Sequence, residues 1–155
     1  MRKFLGFLFI LLSMINPSYA YFIETDWEVV DFVGAPIFIK PENVVGKRQY
    51  FEGGFAKGVF YSCDFAGQYK TYTYYKKEEF LSNPEFEPFK RHDIILEEDI
   101  FVHRISCNGS KEGERKVLYP FVTQSTPNKA FYLFEDVIFM LVTEDYPREI
   151  KPWTN

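Results

Sequence analysis

Ala130-Phe131-Tyr132-Leu133-Phe134-Glu135-Asp136-Val137-Ile138-Phe139-Met140-Leu141-Val142 is the stretch that decides the fold. Two β-prone runs flank a single acidic dipeptide, Glu135-Asp136, which reads as a tight corner between antiparallel strands. The second run, 137–142, has no polar position at all. An amphipathic surface strand would alternate, so this one predicts a strand covered on both faces. At six residues it is also far too short to cross a bilayer as a helix.

Working outward, the same grammar recurs. Asp99 to Cys107 predicts a strand with Phe101, His103, Ile105 and Cys107 on one face and Ile100, Val102, Arg104 and Ser106 on the other. Arg115 to Thr123 predicts the next, with Pro120 marking an edge or a bulge. Gly58 to Tyr75 reads as a hairpin, 59–65 and 69–75 around Ala66-Gly67-Gln68. Trp27 to Val33 and Ile37 to Ile39 are further β-rich runs, the second hemmed by Pro36 and Pro41. The segment 46–58 reads as a loop with a short strand near 49–51. One helix is expected, Lys76 to Ser82. Pro84 to Phe89 reads as extended or turn-like, and Ile94 to Leu96 as a short strand. The sum is a mainly β protein: an antiparallel sandwich or small barrel of about eight strands with one short helix. An α+β arrangement on a curved antiparallel sheet is the alternative.

Composition agrees. The 155 residues are 46% hydrophobic and 20% aromatic, with 18 Phe and 11 Tyr, and aromatics favour pleated, half-buried surfaces. The length suits one domain. A formal charge of −4 argues against a general nucleic-acid binder.

The first twenty residues read as a signal peptide. Arg2 and Lys3 form the basic start, 4–15 is apolar, and Ser18-Tyr19-Ala20 carries small residues where a signal peptidase cuts. Residues 21–155 then form a single β-rich domain in the periplasm or outside the cell, with no membrane span once the leader is gone. Loss of Arg2 and Lys3 moves the formal charge from −4 to −6. In an oxidising compartment Cys63 and Cys107, the two cysteines of the chain, are expected to form a disulfide.

Chemistry is sparse. The chain has no nucleophile elbow, Walker loop, zincin motif or dinucleotide fingerprint. His92 and His103 are its two histidines. His103 is expected to be a core histidine, and a hydrolase using it is the enzymatic alternative. His92, Asp93 and His103 make a poor zinc set, so neither metal nor cofactor is expected. The acidic runs 78–79 and 97–99 read as solvated surface. Asn108-Gly109-Ser110 fits the N-glycosylation pattern.

The functional signal is aromatic. Tyr69, Tyr72, Tyr74 and Tyr75 crowd one strand among Lys70, Lys76 and Lys77. Lys70, Tyr72 and Tyr74 fall on the face pointing away from the predicted core. Tyrosine gives contact area with a polar tip at low entropic cost, so these three form the candidate binding face. The reading is a small exported binding protein without catalysis, an inhibitor or immunity-type factor. Its partner is an envelope or extracellular protein, possibly basic. A glycan ligand and a structural or adhesive role are alternatives.

Overall fold

A computed structural model describes residues 23–35, 40–52, 55–64, 72–108, 115–117, 120–126 and 128–144, with backbone alone at 63–64, 106–108 and 115–117. The predicted leader, the 37–39 run, Lys70 and the middle of the predicted 58–75 hairpin lie outside these residues.

The strands are β1 (Asp26–Val33), β2 (Arg48–Glu52), β3 (Phe55–Gly58), β4 (Cys63–Asp64), β5 (Thr73–Lys76), β6 (Asp99–His103), β7 (Ser106–Asn108), β8 (Arg115–Val117), β9 (Phe121–Gln124), β10 (Lys129–Phe134) and β11 (Val137–Val142). Two short helices, α1 (Lys77–Ser82) and α2 (Glu87–Arg91), flank a 3₁₀ turn at Pro84–Phe86. Nine strands form one antiparallel sheet in the order β4-β3-β2-β1-β11-β10-β9-β6-β5, and β7 and β8 form a separate ribbon. The fold is thus mainly antiparallel β, as the sequence predicts, and the sheet curls into a half-barrel.

The curl follows from the central strands. β10 and β11 are buried along almost their whole length, so each face needs a cover. Val137, Phe139 and Leu141 join Tyr132, Phe121, Trp27, Phe51 and Tyr61 on the inner face, which the curling sheet encloses. Ile138 and Met140 join Phe131, Leu133, Val122, Ile100 and Val102 on the other face, under Phe80, Phe86 and Phe89 of the helical segment. Phe80 stacks on Phe86 at 4.1 Å, and Phe89 meets Phe131 edge-on at 5.5 Å. The β10–β11 corner is a two-residue turn with Glu135 at φ +54°. Gly34 passes so close to it that a Cβ there would sit 2.2 Å from the Asp136 carbonyl oxygen.

Several local expectations are corrected. Among the described residues the two arms of the predicted 58–75 hairpin do not pair with each other: β4 pairs with β3, and β5 pairs with β6 at the opposite end of the sheet. Residues 59–60 form a bend, and 61–62 carry no strand. The buried Gln49 side chain substitutes for the missing ladder there, accepting from Phe60 N at 3.0 Å and Tyr61 N at 2.8 Å. Within the 46–58 segment β2 pairs antiparallel with β3 over four residue pairs. The predicted 99–107 and 115–123 strands each break in two. Arg104 leaves the strand to make a bidentate pair with Glu85, 2.5 Å at both oxygens, and the hairpin continues as the β7–β8 ribbon. Pro120 precedes β9, which lies between β10 and β6, so it marks no edge. Ile100 and Val102, predicted to face outward, are fully buried beneath the helical segment.

The 84–89 segment is helical rather than extended. Pro84 and Pro88 occupy first-turn positions, where proline's missing N–H costs nothing. The Asn83 side chain caps that start by accepting from Glu85 N at 3.0 Å. Residues 94–97 carry no strand.

Phe131 joins the sheet to the helical cover, so it tests this packing. Phe131→Ala is expected to cost about 3–5 kcal/mol, measured by urea denaturation of the purified protein.

Candidate binding site

The inner face can be followed strand by strand through the register. One row runs Phe32–Phe139–Tyr132–Phe121–His103, and Tyr72, one residue before the paired Thr73, extends it. The next runs Val29–Leu141–Ala130–Thr123–Phe101–Tyr74. Both rows are largely buried through the middle of the sheet and emerge at β5, where Tyr72 is 39% and Tyr74 45% exposed.

Tyr74 of β5 and Tyr72 just before it lie on one side and are exposed, but that side is not the outside of the protein. It is the rim of the inner face, and the rings lie on core residues. Tyr72 meets Phe101 edge-on at 5.2 Å and lies 5.8 Å from the His103 ring, while Tyr74 lies 5.7 Å from Phe101. The opposite face of β5 is covered too: Tyr75 packs against Phe80 and Phe86.

The Tyr74 ring is held at its polar end as well. Its hydroxyl donates to Asp99 Oδ1 at 2.6 Å, and Lys76 Nζ donates to the same oxygen at 2.6 Å. Lys76 Nζ also sits 5.7 Å from the centre of the Tyr74 ring. The hydrogen bonds from Lys76 and then Tyr74 hold the Asp99 carboxyl below its ordinary range. Asp99 and Lys76 are directly paired across β5 and β6. The sequence reading missed Asp99 because it gave β5 a different partner strand. Beside Tyr72, a shallow hollow of about 230 Å³ is lined by Thr73, Val102 and Arg104.

His103 is buried, 1% exposed, and its Nε2 lies 3.0 Å from Thr123 Oγ1. A buried ring nitrogen matched to a hydroxyl is what a core histidine requires. His92 closes α2 on the helical side, 3.9 Å from Asp136, so the two histidines serve different faces of the sheet. Among the described residues no group of three or more His, Cys, Asp or Glu side chains is gathered to hold a metal ion. Among them, too, no helix is long and apolar enough to cross a membrane.

Cys63 and Cys107 lie on β4 and β7. These two strands adjoin, with Cα atoms within 8 Å, although β4 belongs to the sheet and β7 to the ribbon. The two cysteine side chains are outside the described residues.

No protein-family model, curated protein or solved structure matches the chain.

The His103–Thr123 contact supports the floor of the aromatic rim. Thr123→Val keeps the shape but removes the hydroxyl, and is expected to cost about 1–3 kcal/mol in a urea unfolding experiment.

Proposed function

We propose that the protein is a small exported binding protein that acts without catalysis, as an inhibitor or immunity-type factor, and grips an envelope or extracellular protein through the β5 rim. The observation that carries this reading is the pair Tyr72 and Tyr74, exposed at the sheet edge yet seated on buried Phe101 and His103. Rings held this way lose little freedom when a partner covers them. Hot spots in protein interfaces are enriched in such anchored aromatics. The net acidity of the chain favours a basic partner by electrostatic steering.

Export rests on the basic-apolar-small pattern of residues 1–20. A Cys63–Cys107 disulfide fits both export and the adjoining of β4 and β7. It would tie the last strand of the sheet to the ribbon that continues β6.

Two experiments test these proposals. Immobilised protein lacking residues 1–20 is expected to retain a specific basic protein from an envelope or culture-supernatant extract at low salt. The Tyr72→Ala/Tyr74→Ala double variant is expected to lose at least 2 kcal/mol of that affinity, about thirtyfold. Retention of no specific partner removes the reading, and full retention by the double variant moves the interface elsewhere. For the disulfide, iodoacetamide is expected to label neither cysteine of the unfolded, unreduced protein and both after reduction. Reduction is expected to lower stability by about 4 kcal/mol, read from denaturation with and without reductant.

A further inference from the structure

A second aromatic site lies on the other face of the sheet, away from the β5 rim. β2 and β3 present their inner side to the core, where Phe51 is 1% and Ala56 4% exposed. Their opposite side carries Tyr50 across from Lys57 and Glu52 across from Phe55. Phe55 is 60% exposed, the most exposed aromatic side chain among the described residues, and Tyr50 is 39% exposed. With Ser62 they line an open groove of about 440 Å³.

We infer that this groove binds pyranose rings of a neutral oligosaccharide. Three features of the lining point to that ligand. Two aromatic side chains offer electron-rich faces, which attract the C–H hydrogens of a flat sugar ring. The polar groups around them, the Glu52 carboxylate, the Lys57 ammonium and the Ser62 hydroxyl, include both acceptors and donors, as a hydroxyl-rich ligand needs. Among the described side chains that line the groove the formal charges of Glu52 and Lys57 cancel, so a neutral ligand matches them better than a strongly basic or acidic peptide. The Tyr50 hydroxyl donates to Glu52 Oε2, which orients both side chains before a ligand arrives. The volume lies in the range of small-ligand sites, and the open shape suits a stretch of a longer chain rather than an enclosed small molecule.

The site stands independently of the β5 rim, and the test separates the two. The protein lacking residues 1–20, labelled with ¹⁵N, is titrated with cellotetraose and, separately, chitotetraose while amide shifts are followed. The expected result is saturable shifts confined to residues 48–62, with a Kd of about 1 mM or tighter for at least one probe. Phe55→Ala is expected to weaken binding at least tenfold, whereas Phe55→Trp retains it. Because Phe55 is mostly exposed, neither change is expected to disturb folding. Tyr72→Ala is expected to leave sugar binding unchanged. The proposal would be overturned by no saturable shift with either probe at about 10 mM, by shifts centred outside 48–62, or by unchanged affinity in Phe55→Ala. Shifts at 48–62 that depend on protein concentration and not on sugar would assign the groove to self-association and overturn it as well.

Discussion

The rest of the structure depends on two neighbouring strands that are apolar on both sides. β10 and β11 cannot lie at a surface, because either exposed face would leave several large side chains in water, each costing about 1.5–3 kcal/mol relative to burial. One sheet has only itself and its connections with which to cover two faces. The inner face is covered by curling, which brings Phe51 and Tyr61 from the β2–β4 end over Phe121 and Tyr132. The other face is covered by the connection between β5 and β6, whose three phenylalanines form a small aromatic lid. These two solutions explain why, among the described residues, both α-helices lie between β5 and β6.

The same constraint sets what the sequence could reveal. Periodicity identifies a strand by the environment of its faces, and it worked where the environment was simple. The absence of alternation in 137–142 marked a strand buried on both sides, and Glu135-Asp136 marked its corner. It failed where pairing mattered. The 59–65 and 69–75 runs look like neighbours because a glycine-containing connection joins them, yet β4 and β5 stand at opposite ends of the sheet order. Residue type says that a run is extended and does not say which partner it will find. Prolines misled in a specific way. Pro84 and Pro88 looked like barriers to helix, and they are helix starts, because the first turn has no use for their missing N–H.

The candidate site was legible in part for the same reason. A tyrosine-rich strand with alternating exposure can be read from sequence, and Tyr74 of β5 and Tyr72 just before it are both exposed. What gives those rings a fixed posture could not be read, because it comes from β6. Asp99 restrains the Tyr74 hydroxyl, Phe101 supports both rings, and His103 closes the floor against Thr123. Each of these contacts crosses between strands whose pairing only the folded chain defines. Lys70, the third member of the predicted face, lies outside the described residues.

The rim also shows how an aromatic edge can coexist with a terminal strand that resists pairing. A terminal strand presents backbone donors and acceptors that invite another strand, and natural sheets blunt this with short edges and charged side chains. β5 is four residues long and ends in Lys76, whose charge is fixed on Asp99 at the strand's own end. That ion pair is solvent-exposed and contributes little to stability. Its value is positional: it places charge where an incoming strand would pair, while the tyrosines one and two pleats away remain open. The edge therefore discourages backbone pairing and leaves side-chain recognition available. If the rim holds one partner, as proposed, it needs that combination, because an edge that welcomed any strand could not choose among them.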